Sequence, residues 1–261
     1  SLLAQHELLW DLLTHREPSL RAAVRPVMAG LMARHPDTAD QFMQMIIASV
    51  LRRKLVEGVS GFLVRFLRDT CADRLHQVPE EVVWRLVRSK DSAAQELGGV
   101  LLPPHLNPDT VPIPDVIALA SMEVLSLREA CWATYERMVP RLKANMVEAI
   151  GILEASWEDS RLFAFRFFEA HFDKSDFDAT LLVTICDSVR PDVQGYGRRL
   201  ITQHFEESDG EQYLLQLSEH PAGDVQLFAS NYLERYAANN QANLEQLEPY
   251  FLRVLGAVNR G

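Results

Sequence analysis

The sequence predicts an all-α fold: an α-solenoid of about five helix pairs preceded by an N-terminal helical region. Three columns of residues carry that prediction. One column, Leu86, Leu119, Ile152, Ile185 and Leu217, holds a branched aliphatic five times running. A second, Gly98, Cys131, Ala164, Gly197 and Ala229, holds only small side chains. Both recur at one constant interval of roughly 33 residues, the length of a helical hairpin in a stacked array. Only the last step of each, to Leu217 and Ala229, is shorter, by a single residue. The third column, Val83, Val116, Ala149, Leu182 and Leu214, sits three residues before the aliphatic one. That offset places both on one helical face.

Residues 2–75 read as helical but off this register. Leu2 to Leu13 is rich in helix formers, and Pro18-Ser19 opens a helix running to about Met32, because proline is tolerated in a first turn. Asp37 opens a long segment to about Glu57, and Gly58 to Gly61 breaks it before a helix over 62–75. One period upstream of the array, the core columns fall on Val50, Arg53 and Arg65, and two arginines there place the start of the array further on. The expected division is therefore an N-terminal cap or small bundle over 1–78 and an array over 79–261. First helices are expected near 80–88, 115–125, 146–155, 179–187 and 211–219. Second helices are expected near 93–102, 127–138, 157–171, 191–204 and 223–237. The buried stripe of the second helices combines Leu97, Ala130, Phe163, Tyr196 and Phe228, then the small column, then Leu101, Thr134, Phe167, Leu200 and Tyr232. The small column is expected to mark close approach of helices from neighbouring pairs, where a bulky residue would overpack the contact. Ser156 followed by Asp159 reads as an N-terminal cap. Pro103, Pro104, Pro108, Pro112 and Pro114 read as a stiff, extended connector. Leu247, Tyr250 and Val258 continue the columns, so the array reads as truncated or capped at its C terminus.

Composition narrows the classes of function. The chain has 261 residues, 48% of them hydrophobic and 24% charged, ordinary for a folded protein. Cys71, Cys131 and Cys186 are odd in number with no paired spacing, and the N terminus has no basic segment followed by an apolar one. A cytoplasmic protein that does not enter the membrane is expected. Formal charge is −10 overall. Residues 1–75 carry 10 Lys/Arg against 8 Asp/Glu and residues 76–261 carry 16 against 28, balances of +2 and −12. Nucleic-acid affinity draws on clustered cations, so this balance argues against a nucleic-acid partner. No cofactor or metal is expected. His6, His15, His35, His76, His105, His171, His204 and His220 lack His-Glu-x-x-His spacing, and Gly195-Tyr196-Gly197 has no preceding strand.

Asp192-Val193-Gln194 followed by Tyr196-Gly197 and Leu200, and Asp224-Val225-Gln226 followed by Phe228-Ala229 and Tyr232, resemble the HEAT-repeat family of armadillo-like α-solenoids. The resemblance covers about residues 80–261. It implies a right-handed superhelix that binds protein on an extended, concave surface lined by the second helices. Members of the family carry an Asp in the turn within each pair and an Arg early in the second helix, bonded as a ladder. Here the Arg-like positions read Gln95, Arg128, Arg161, Gln194 and Gln226. The Asp-like positions, six residues earlier, read Ser89, Met122, Ala155, Ser188 and His220, so the charged ladder is degraded.

The sequence thus points to a non-catalytic interaction scaffold or docking module for a protein or peptide, acidic by complementarity. Arg128, Arg161, Arg166, Gln194, Arg198, Arg199 and Gln226 are its candidate contacts, because guanidinium groups bind carboxylates bidentately. The alternative for the same residues is a solvated face with pairs to Glu158, Asp159, Glu169 or Asp192. Trp157 is a candidate exposed anchor. The second reading is an enzyme of the DNA-alkylation glycosylase type, for which Trp132, Trp157 and Arg161 supply the residue types. A chromophore-lyase-like repeat protein is a third.

Overall fold

A computed structural model describes residues 2–52, 55–204, 223–237, 241–248 and 252. Among these residues every regular element is helical and none is a strand. The chain's contacts divide into two compact units, 1–138 and 139–261.

The first unit begins with α1 (Leu2–Leu13), α2 (Pro18–Arg34), α3 (Pro36–Leu51) and α4 (Val59–Thr70). Proline opens α2 and α3, where its missing N–H costs no bond. Gly58 precedes α4 at φ 78°, a left-handed conformation that residues with a Cβ rarely adopt. Two pairs follow: α5 (Glu80–Val87) with α6 (Ser92–Leu101), and α7 (Ile113–Ala120) with α8 (Leu125–Arg137). Asp91 caps α6 by accepting from the backbone N–H groups of Ala93 at 2.8 Å and Ala94 at 3.2 Å. Within this unit α5 packs on α6, α7 on α8, and α6 on both α4 and α8. The expected division at 78/79 lies inside the unit, and α3 and α4 on one side of it both pack on α6 on the other.

The second unit contains the short helices α9 (Val139–Lys143) and α10 (Met146–Ala149), then α11 (Glu158–His171), α12 (Ala179–Cys186), α13 (Pro191–His204), α14 (Gly223–Ala237) and α15 (Gln241–Gln246). The helix expected over 146–155 is α10 followed by a 3-10 turn at 150–154, with the poor helix former Gly151 inside the turn. Asp178 caps α12 through the Leu181 N–H. The expected cap is displaced by one position: α11 starts at Glu158, with Trp157 rather than Ser156 as its cap residue. The helix expected over 211–219 lies outside the described residues.

Both columns are buried where described. Leu86 and Ile152 are fully inaccessible, as are Cys131, Ala164 and Ala229. The reason for the small column differs from the sequence expectation. A Cβ on Gly98 would lie 2.8 Å from Val87 N, and one on Gly197 would lie 2.9 Å from Cys186 Sγ. Those partners belong to the first helix of the same pair, not to a neighbouring pair. Cys131 fits the pattern, with its sulfur against the backbone of Ala120. All three contacts span the same sequence distance, so the small column sets how tightly each hairpin closes. The neighbour contact falls one residue later. A Cβ on Gly99 would press on Ser126 Oγ and lie 2.7 Å from Leu127 N, at the start of α8.

The same burial pattern is found upstream, one residue out of step. Leu63, Val64 and Leu67 on α4 are fully buried. They precede Leu97, Gly98 and Leu101 by one repeat period plus a single residue. A step of one strict period instead falls on exposed Arg65. Arg53 lies outside the described residues. The proline-rich connector is also not extended. Residues 103–105 form a 3-10 turn, Leu102 and Leu106 are buried on either side of it, and Val111 N–H donates to Asn107 O at 2.9 Å.

Candidate functional site

The Arg-like positions have a shared geometry that begins with the backbone. Each hairpin turn leaves carbonyls without helical partners, and a side chain early in the second helix reaches back to satisfy them. Gln95 Nε2 donates to Ser89 O at 2.8 Å, and Gln194 Nε2 to Ser188 O at 2.7 Å. Arg128 Nη1 donates to Met122 O at 2.9 Å and Glu123 O at 2.7 Å. Arg161 Nη1 donates to Ala155 O at 2.9 Å and Ser156 O at 3.2 Å. At these four positions the acceptor is the carbonyl six residues back, with the next one added for arginine and the Val87 carbonyl, at 3.4 Å, added for Gln95. The family ladder would place a carboxylate side chain at that position. Here the acceptor is the carbonyl of that residue, whether Ser, Met or Ala, and at Ser89 and Ser188 the hydroxyl also accepts a turn N–H, from Asp91 and Arg190 at 3.1 Å.

Arg21 makes the same contact, although the sequence columns do not reach it. Its Nη1 donates to His15 O at 2.7 Å and Arg16 O at 3.0 Å, six and five residues back. The residue is 6% exposed. The signal available in the sequence is an arginine in the first turn of α2, shortly after a helix break. On α4 the corresponding position, at the longer upstream step before Gln95, is Gly61, which has no donor to offer.

Charged bridges link consecutive second helices within each unit. Arg25 on α2 pairs with Asp69 on α4, and Arg68 on α4 pairs with Glu96 on α6 at 2.7 Å. Ser126 Oγ on α8 donates to Glu96 O at 2.9 Å. In the second unit Arg161 Nε meets Asp192 on α13 at 2.6 Å, and Arg199 lies 3.7 Å from Glu169 on α11. Burial by itself would raise the Asp192 carboxyl, but the hydrogen bond and charge of Arg161, with the Val193 N–H, hold it below its ordinary value. Arg25, Arg68 and Arg161 thus each meet a carboxylate on the following second helix, whereas Arg199 meets one on the preceding helix.

The candidate contacts separate by environment. Arg128 is 6% exposed, and the Arg161 side chain is 12% exposed; both guanidinium groups, like the Gln194 amide, serve the turns. Arg166 on α11 and Arg199 on α13 are exposed, and Arg198 is half-buried. Gln226 lies on α14, and its side chain is outside the described residues. Trp157 is 40% exposed. Arg198 and Arg199 line a groove of about 490 Å³ on α11, α13 and α14, together with Glu169, Gly195, Thr202, Gln203 and Phe228. A Cβ on Gly195 would meet nothing within 4 Å, so space stands open above this turn of α13. Beneath it Tyr196 stacks on Phe165 at 4.5 Å and carries the Arg199 guanidinium over its ring at 5.4 Å. In the first unit a larger groove of about 870 Å³ runs over the starts of α4, α6 and α8, with exposed Val56, Val100 and Leu125 and the Arg68–Glu96 pair in its walls.

The reactive groups are otherwise engaged. Burial pushes the Cys71 thiol up to about 11 and the Cys186 thiol to about 12, and it raises Cys131 as well, so all three stay protonated and poorly nucleophilic. His171 and His204 each pack against a phenylalanine, Phe167 at 5.0 Å and Phe177 at 6.0 Å. Among the described residues no group of three or more His, Cys, Asp or Glu is placed to hold a metal ion. Among them, too, no helix is long and apolar enough to cross a membrane. Comparison with family models, curated proteins and solved structures gave no match.

Proposed function

We propose that this chain is a non-catalytic docking module: a HEAT-like, right-handed α-solenoid that holds an acidic peptide segment on its second-helix face. The observation that carries the reading is the groove over α11, α13 and α14. Arg198 and Arg199 line it, Arg166 stands exposed on α11, and the open space above Gly195 lets a peptide backbone approach. Arg199 is only loosely held by Glu169, at 3.7 Å between largely exposed side chains, an arrangement worth little in water. A carboxylate on a partner displaces it at small cost and gains bidentate contact. Half-buried Phe228 supplies the apolar edge. An overall charge of −10 favours a local cationic site as the point of specific contact. The glycosylase-type alternative calls on Arg161, whose guanidinium is committed to two carbonyls and Asp192, which favours the docking reading.

The test uses a fluorescein-labelled acidic peptide carrying one phenylalanine, titrated by anisotropy with the full chain and with Arg166→Glu/Arg198→Glu/Arg199→Glu. Binding at least tenfold weaker for the triple variant, and steeply salt-dependent for the wild type, is expected. Equal binding by both proteins removes this groove from consideration. Tight duplex-DNA binding with a steep salt slope would move the assignment to the glycosylase-type reading.

A further inference from the structure

The geometry points to a second docking site, for an amphipathic helix with acidic edges, in an apolar trough between α3 and the start of α5. The trough has a volume of about 340 Å³ and lies among first helices, away from the second-helix grooves of the same unit. Its floor is Met43, Ile47, Leu51, Val78 and Val82. Met43, Ile47 and Leu51 follow one another at every fourth position, forming a ridge along α3 against which another helix can pack. Methionine, unbranched and polarisable, lets the floor adapt to the shape of an anchor.

The rim decides what is bound. Arg52 and Arg85 are both exposed, and exposed Gln44 and Gln77 share the lining with them. Among the described residues no carboxylate lines the trough, although acids outnumber bases in the chain by 36 to 26. Glu80, the near neighbour on α5, accepts the Trp84 indole N–H at 3.2 Å. An apolar floor with a cationic rim fits a helix whose aliphatic anchors recur at i, i+3, i+4 and i+7 and whose flanking positions are Glu or Asp. The volume lies at the low end of the roughly 300–1,000 Å³ of small-ligand pockets. Because the trough is partly open, it suits the anchors of a partner helix better than an engulfed ligand.

The site is independent of the groove over α13, and its test separates the two. The probe is a fluorescein-labelled helical peptide about four turns long, with leucines on one face and glutamates at its edges; the matched control carries lysines instead. Anisotropy titrations use the full chain, Arg52→Glu/Arg85→Glu, and Ala48→Glu, which places a carboxylate in the trough wall. All three are checked by circular dichroism. The expected result is binding of the glutamate peptide, weakened at least tenfold in both variants, with the lysine peptide bound at least tenfold more weakly by wild type. No binding of the glutamate peptide, equal binding by Arg52→Glu/Arg85→Glu, or equal binding of the lysine peptide overturns the inference. So does loss of the probe in Arg166→Glu/Arg198→Glu/Arg199→Glu alone, an outcome that leaves the groove over α13 as the acidic-helix site.

Discussion

Replacing Arg128 tests whether its guanidinium holds the fold or faces a partner. The side chain is 6% exposed, and one nitrogen bonds two turn carbonyls at 2.9 and 2.7 Å. Hydrogen bonds from a charged donor contribute about 1.5–3 kcal/mol each, and a carbonyl left unpaired in a buried place costs about 1–3 kcal/mol. The two bonds share one nitrogen and are not additive, so Arg128→Met, which keeps most of the apolar stem, should cost about 3 kcal/mol. The same site in other pairs supplies the control. Gln95 and Gln194 satisfy the carbonyl six residues back with a neutral amide, so Arg128→Gln should restore one bond and cost only about 1–2 kcal/mol. For a domain of this size, 1 kcal/mol corresponds to roughly 2–4 °C in Tm. Calorimetry should therefore place Arg128→Met about 6–12 °C below wild type, with Arg128→Gln between the two. Urea titrations should show the same order with an unchanged slope. If Met and Gln are equally stable, or both match wild type, the carbonyl contact is not what selects the residue here.

Other perturbations follow from contacts at single atoms. Gly99→Ala puts a methyl against Ser126 Oγ and 2.6 Å from the backbone carbon of the same residue; it should cost at least about 2 kcal/mol by overpacking. Gly195→Ala, in an open part of α13, should stabilise by about 0.5–1 kcal/mol through helix propensity alone. Thermal melts of the two give shifts of opposite sign. Tyr196 Oη is buried with no hydrogen-bond partner among the described residues, so Tyr196→Phe should stabilise by about 1 kcal/mol, measured by urea titration. The Asp192 carboxyl, held low by Arg161, contributes stability that is present above its ordinary value of 3.8 and is lost as pH falls through the lowered folded value. Urea midpoints followed from neutral pH down to below about pH 3 should show a shallower acid loss in Arg161→Gln than in wild type.

The helices were legible because their signals are local and periodic. Leu2–Leu13, Pro191–His204 and Gly223–Ala237 fall where apolar spacing and proline starts placed them. Leu86, Ile152 and Cys131 are buried as their columns required. What the columns did not disclose is the partner each position touches. Gly98 and Gly99 are adjacent and identical in type, yet one closes its own hairpin and the other admits the next pair; periodicity marks both as small and says nothing of direction. The lengthened step between α4 and α6 hid the upstream pattern, because a slip of a single position moves the column from buried Val64 to exposed Arg65. At the candidate site, residue type alone did not separate Arg161, which braces a turn, from Arg166, five residues on, which is exposed.

That last ambiguity has a physical source, which also bears on how such a chain keeps its architecture while its surface changes. The ladder expected from family resemblance joins two side chains, so losing either residue breaks it. Here the invariant acceptor is a backbone carbonyl, supplied by Ser89, Met122, Ala155 and Ser188 alike. The donor is constrained, and an amide or a guanidinium meets that constraint. Where arginine braces the turn the acceptor residues are Met122 and Ala155; where glutamine does, Ser89 and Ser188 also hold the turn through their hydroxyls, which accept the N–H groups of Asp91 and Arg190 at 3.1 Å. The donor keeps one option: a guanidinium has nitrogens to spare after bracing the turn, as Arg161 does when Nη1 takes the carbonyls and Nε takes Asp192. Glutamine at the same place braces the turn without reaching forward. Choosing arginine or glutamine at this position therefore sets how firmly one second helix is tied to the next. In Arg161→Gln the turn around the Ala155 carbonyl should keep its protection from hydrogen exchange, while amides at the start of α13 near Asp192 exchange faster. Equal acceleration on both sides would mean that the two contacts are one cooperative unit and that the donor does not tune them separately.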